Sequence, residues 1–147
     1  MKEGLTLSKD YVVGLVDGEG SFTAYIRNPD RSIEPKRRVF AEPKFYVKLV
    51  GEDKLILDKL KRFFGCGAVY FQKDSRPNHR DCYRFEVGNR FDLENKIIPF
   101  FRKNILCFPS KRKDFMIFCQ IMSGIKKGDH LKPNGLRSLY NLKQKMH

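Results

Sequence analysis

The sequence has no apolar run approaching the length needed to span a bilayer. Its first residues, Met1-Lys2-Glu3-Gly4, lack the basic-then-apolar order of a secretory signal. A membrane-surface role would call for a basic amphipathic helix or a polybasic flank beside an apolar span. These absences predict no membrane partner and an intracellular setting, either a bacterial or archaeal cytoplasm or an organelle. Cysteine is also scarce. Cys66, Cys82, Cys107 and Cys119 are far apart and form no C-x-x-C pair, so neither zinc-ligand spacing nor a disulfide framework is indicated. Four buried thiols in a reducing compartment are expected instead. Acid is the other shortage: 17 Asp and Glu stand against 30 Lys and Arg, for a net charge of +13. A chain so charged repels itself unless a polyanion absorbs the excess, which points to nucleic acid. Residues 101–147 hold 11 basic groups and two acidic ones, so the excess sits toward the C-terminal end.

At 147 residues and 41% hydrophobic, the chain can bury one core and is expected to form one domain, 1–147. From Ser8, a good N-cap, Tyr11, Val12, Leu15 and Val16 recur at helical spacing, and the helix should stop near Gly18. After Gly20 the period changes to two, with Phe22, Ala24 and Ile26 on one face and Thr23, Tyr25 and Arg27 on the other. Turn chemistry at 28–32 leads to a second strand through Phe45 and Val47, with Lys44, Tyr46 and Lys48 facing the opposite way. Residues 52–64 predict a helix whose stripe is Leu55, Ile56, Leu60 and Phe63, stopped by Gly65. Two β-type runs follow, Ala68 to Gln72 and Cys82 to Val87. Helices are then expected over Asp92 to Phe101, Lys111 to Lys126 and, after a Pro133-Asn134-Gly135 break, Leu136 to Met146.

The order α-β-β-α-β-β-α-α-α is an α+β pattern with antiparallel hairpins. Helices must cover the apolar face of such a sheet and leave the other to water or a partner. The uncovered face should display Thr23, Tyr25, Arg27, Lys44, Tyr46, Lys48, Tyr70, Gln72 and Arg84. These groups suit base edges and phosphates, although an ordinary solvated sheet face has the same pattern.

In Val12-Val13-Gly14-Leu15-Val16-Asp17-Gly18-Glu19-Gly20, a glutamate sits at a helix C-terminus, where the dipole disfavours negative charge. A divalent cation would remove that penalty, taking the carboxylate of Glu19 and a free carbonyl such as that of Gly18. Gly14 and Gly18, four apart, leave one helix face bare for close approach of a second helix. A plain helix with a glycine cap and a solvated glutamate has the same spacing. The nonamer, however, resembles the LAGLIDADG motif, matching Gly14-Leu15, Asp17 and Gly20, with Glu19 for the second aspartate. The resemblance extends to Leu57-Asp58-Lys59-Leu60, Phe64-Gly65-Cys66-Gly67, Ile97-Ile98-Pro99-Phe100-Phe101, Lys111-Arg112-Lys113-Asp114-Phe115 and the Gly128–Leu142 tail, which is similar to small members encoded in ribosomal RNA introns.

What the resemblance implies is a single-motif LAGLIDADG homing endonuclease of mixed αββαββα(αα) fold, with an antiparallel saddle-shaped sheet and helices on one face. The family's active site uses two motifs and this sequence holds one, so a homodimer is implied, with Tyr11, Val12, Gly14, Leu15 and Gly18 at its interface. Glu19 from each protomer would hold Mg²⁺ or Mn²⁺ over the scissile phosphates of double-stranded DNA, cut across the minor groove. Lys111 matches a lysine that the family places near each phosphate. Lys111, Arg112, Lys113, Ser21 and Arg31 join the sheet face as DNA-binding candidates, and Arg102, Lys103 and the basic tail would hold the flanking backbone. No small-molecule substrate is implied. Where many members carry a polar residue on the second strand, Leu49 appears here: either Lys48 substitutes, or the register is off by one, or activity is weakened. An HNH-type nuclease needs paired histidines, which His79, His130 and His147 do not supply. A non-cleaving RNA-splicing maturase or DNA-binding regulator is the alternative.

Overall fold

The computed structural model describes residues 6–30 and 39–147. Helix α1, Lys9–Glu19, opens on Ser8, whose hydroxyl accepts the Tyr11 amide hydrogen at 3.1 Å. It runs directly into β1, Gly20–Ile26. Gly20 is required at that junction, since a Cβ there would lie 2.6 Å from a Val16 methyl and 2.9 Å from its carbonyl. Strand β2, Ala41–Val50, pairs antiparallel with β1, and a 3₁₀ turn, Gly51–Asp53, leads into α2, Lys54–Phe64. Gly65 ends α2 at φ 69°, a left-handed closure that favours glycine. Strands β3, Ala68–Gln72, and β4, Cys82–Val87, complete an all-antiparallel sheet of order β1-β2-β4-β3. The helical α3, Arg90–Asp92, then continues through a π turn, Leu93–Ile97, into α4, Ile98–Lys103. Pro99 has no amide to donate to the preceding turn, and the widened turn accommodates that loss. Helices α5, Pro109–Lys126, and α6, Pro133–Gln144, finish the chain, joined by a short turn, Asp129–Leu131.

The expected order holds, with three corrections. The buried stripe of α2 is Leu57, Leu60 and Phe64, while Leu55 is 57% exposed. Apolar residues cover too wide an arc of this helix for its own sequence to choose the inward line. The sheet chooses it. Both α5 and α6 start earlier than expected, because Pro109 and Pro133 occupy first-turn positions where a missing amide costs nothing, so Pro133 begins a helix and does not break one. Of the cysteines, Cys66, Cys82 and Cys119 are part-buried but Cys107 is exposed; all are free, and burial raises the thiol pKa values of Cys66 and Cys119.

The core lies between one sheet face and α1, α2, α4 and α5. Phe22 of β1 is its hub, with ring centroids 5.0 Å from Phe45, 5.1 Å from Phe115 and 5.5 Å from Phe101. Fully burying each of these rings contributes roughly 2–3 kcal/mol. The alternation is strict in β1 and in β2 as far as Lys48, so the opposite face of the sheet stays open as the sequence predicts. Among the described residues no helix is long and apolar enough to cross a membrane.

Candidate active site and nucleic-acid face

Glu19 ends α1 at the surface, and among the described residues it has no hydrogen-bond or ion-pair partner. Two contacts tie this helix end to the start of α5. The side chain of Asp17 is buried, and its carboxylate accepts the Cys107 amide hydrogen at 3.0 Å and that of Phe108 at 3.1 Å. Phe108 is the N-cap of α5 and gives it no side-chain cap, so Asp17 supplies the negative charge that the positive helix end favours. In return, Lys111, in the first turn of α5, donates from Nζ to the Gly20 carbonyl. A cation thereby sits at the negative end of α1, beside Glu19. Lys111 thus approaches the end of the helix that carries Glu19. Asp17 was not anticipated as a functional residue; the signal available for it was a second acid at an unfavourable helix end.

The β1–β2 register pairs Gly20 with Val47 and Ser21 with Tyr46. One step further along, Lys48 lies opposite the end of α1, on the open face of the sheet. Leu49 alternates to the other face, where it packs against the core and pairs with Tyr83. At this point of the strand the side chain on the open face is therefore Lys48, with Leu49 turned to the core. The open face carries Ser21, Thr23, Tyr25, Lys44, Tyr46, Lys48, Tyr70, Gln72 and Arg84 together, as their register requires. It also carries Glu42 and Glu86, which were not anticipated: Lys44 Nζ is 3.8 Å from Glu42 and 3.6 Å from Glu86. Lys143 of α6 reaches round the β1 edge to within 3.3 Å of the Thr23 hydroxyl.

Other candidates are placed differently. Arg27 lies just past β1 with its guanidinium 4.3 Å from the centre of the Phe40 ring. Arg112 turns back to donate to the carbonyls of Leu106, at 3.0 Å, and Cys107, at 3.4 Å, so it braces the loop before α5. Lys113 is exposed one residue on, and Arg102 lies against Cys119 on the helix layer. Arg31 lies outside the described residues. On α1, Tyr11 is 49% exposed and Gly14 and Gly18 are open, with nothing within 4 Å of a Cβ built on either glycine. Leu15 is half-buried beside them. Val12, expected on the same face, is fully buried in the chain's own core and its side chain can meet no partner. The histidines are scattered: His79 bonds its own loop, His147 bonds Asp114, and His130 is buried, its pKa lowered by burial and by Arg90.

Among the described residues no group of three or more His, Cys, Asp or Glu side chains could hold a metal within one chain. That does not conflict with Mg²⁺, which keeps several waters and needs one or two carboxylates alongside phosphate oxygens. Glu19 offers such a carboxylate, unpartnered, and Gly18 a carbonyl beside it. These are oxygen donors of the kind the ion takes.

The family model described as LAGLIDADG endonuclease matches residues 12–122. A probable intron-encoded DNA endonuclease of Mycosarcoma maydis is 31% identical over 111 residues, covering 76% of this chain. The chain spans only 23–35% of the length of the curated relatives it matches. Among solved structures, the homing endonuclease I-TnaI superposes with a TM-score of 0.80 at 32% identity, over 97% of this chain and 90% of that one. I-LtrWI, a LAGLIDADG homing endonuclease bound to target DNA, superposes at 0.83 with 28% identity, over 98% of this chain and 46% of its own. With the motif helix, the open sheet and this match over most of its length, the chain belongs to the LAGLIDADG endonuclease family.

Proposed function

We propose that this chain is a site-specific double-strand DNA endonuclease that works as a homodimer with Mg²⁺ or Mn²⁺. The observation that carries the reading is the exposed, unpartnered Glu19 at the end of a helix whose neighbouring face is bared by Gly14 and Gly18. Two such helices packed through Tyr11, Gly14, Leu15 and Gly18 would bring two Glu19 carboxylates together, completing a donor set that one chain lacks. The ion, once bound, would polarise a scissile phosphate and stabilise the attacking and leaving oxygens.

The remaining steps belong to the protein. Lys111 and Lys48 flank Glu19 with positive charge that stabilises the phosphate as its negative charge grows. Asp17 fixes the start of α5 and hence the position of Lys111. The open sheet, with its aromatic and cationic side chains, lies along the major groove and sets the register of the cut. Incubating the purified chain with plasmid carrying an intronless ribosomal RNA gene, in Mg²⁺ and in EDTA, tests the reading. Linearisation at one site only with metal is expected. Binding without cutting, unchanged by Glu19→Gln, would instead make the chain a maturase or a DNA-binding regulator.

A further inference from the structure

We propose that Arg84 reads a guanine in each half of the DNA site, and that Tyr46 and Glu86 are positioning residues that hold it in the reading pose. The inference rests on the endonuclease reading above. It begins from a conflict in the sheet: Lys48 and Arg84 are direct register partners on the open face, and like charges so placed repel. Arg84 is drawn aside. Its guanidinium carbon lies 3.5 Å from the centre of the Tyr46 ring, and its Nε lies 3.1 Å from Glu86 Oε1. The second oxygen of Glu86 lies 3.6 Å from Lys44 Nζ. Stacking sets the plane of the guanidinium, and Glu86 holds its Nε side by charge, since the buried Nε itself makes no hydrogen bond.

A guanidinium stacked flat on a ring, with a carboxylate beside its Nε side, keeps its two terminal nitrogens as a planar pair of donors. The contacts of Arg84 are the Tyr46 ring and the Glu86 carboxylate beside Nε, and neither engages the terminal nitrogens in a hydrogen bond. In the major groove the acceptors that match such a pair are O6 and N7 of guanine. A phosphate can also accept both guanidinium donors, but it carries no base identity, so the two contacts separate by sequence preference. Glu86 is not itself the reader, because its oxygens already face Arg84 and Lys44. The Arg84 and Glu86 side chains are only 23% and 19% exposed, so the arrangement is ordered before any DNA arrives, which lowers the entropy cost of contact. Since Arg84 shares a row with Lys48, the guanine belongs to the part of the half-site near the cut.

The test is selection from a randomised duplex DNA library by the full chain, with EDTA present so that binding is read without cutting. The unaltered protein is expected to enrich guanine at one position, repeated symmetrically in the two half-sites. Arg84→Lys keeps the charge and the aliphatic stem, and should lower the guanine preference at that position by roughly five- to a hundred-fold while leaving other positions as they were. Tyr46→Leu and Glu86→Gln should relax the same position, and Tyr46→Phe, which keeps the ring, should restore it. A uniform loss of affinity in Arg84→Lys with an unchanged sequence profile would overturn the proposal and make Arg84 a phosphate contact. If the unaltered chain enriches no sequence at all, the endonuclease reading falls with it, whereas enrichment indifferent to Arg84 removes this inference alone.

Discussion

The carboxylate of Asp17, two residues before Glu19, accepts the amide hydrogen of Phe108 at 3.1 Å and so caps a helix 91 residues further along the chain. The motif helix is thereby locked to α5, which carries Lys111. Asp17→Ala would leave the amides of Cys107 and Phe108, whose hydrogen bonds are part-buried, without their acceptor and remove a charge from a favourable helix end. We expect a loss of about 3 kcal/mol, or a drop of roughly 10 °C in melting temperature. Cleavage should fall as well, because Lys111 loses its fixed position. A melting temperature within a degree or two of the unaltered protein would show that the cap is dispensable.

Glu19 is the converse case, exposed and unpartnered, so removing its charge should cost the fold little. Glu19→Gln is expected to keep the melting temperature and the affinity for DNA while cutting falls on the order of 10³-fold, as when a preorganised charge-stabilising group is lost. Parallel gel-shift and plasmid-cleavage assays would measure the two effects separately.

Leu49 and Lys48 offer a paired comparison. Leu49 faces the core and Lys48 the open side, so Leu49→Gln should destabilise by about 1–3 kcal/mol through burial of an unpaired amide, with no gain in cutting. Lys48→Met should leave stability nearly unchanged and slow cleavage at least ten-fold, since it removes a cation opposite Glu19. A faster enzyme from Leu49→Gln would restore the expectation that position 49 is the polar one.

Local chemistry made most of this fold legible. Alternation set the faces of β1 and β2, Ser8 and Gly65 marked helix ends, and the motif pointed to Glu19. What escaped notice depends on contacts between distant segments. The inward line of α2 was chosen by the sheet from an arc that also included Leu55. Val12 and Gly14 belong to one helix, but only the packing of α1 on the core shows that the first is buried and the second bare. Arg112, expected beside Lys111 as a DNA contact, donates to carbonyls of its own loop. Asp17 has its acceptor role fixed by residues 107 and 108, which no local pattern connects to it. Glu86 needed the pairing of β2 with β4 before its place between Lys44 and Arg84 could be seen.

Salt should act strongly on binding. With a net charge of +13 and an open face holding Lys44, Lys48 and Arg84, the dimer would displace many counterions from DNA. If six to ten phosphates are neutralised, affinity should fall roughly 10³–10⁵-fold between 50 and 200 mM salt. Titration by fluorescence anisotropy measures the slope, and a flat response would exclude an extended phosphate contact.

Gly14 and Gly18 give the sharpest test of the dimer, because the monomer itself does not need them small. Nothing lies within 4 Å of a Cβ at either position, and both sit in an α-helix, where alanine is favoured over glycine by about 1 kcal/mol. Gly14→Leu should therefore leave the melting temperature of the isolated chain unchanged or slightly higher. A second helix approaching that face, however, would meet the added side chain. Sedimentation should show weaker self-association for Gly14→Leu, and cleavage should fall with it while the fold persists. A variant that folds, fails to pair and still cuts both strands would mean that the two Glu19 carboxylates never share a site.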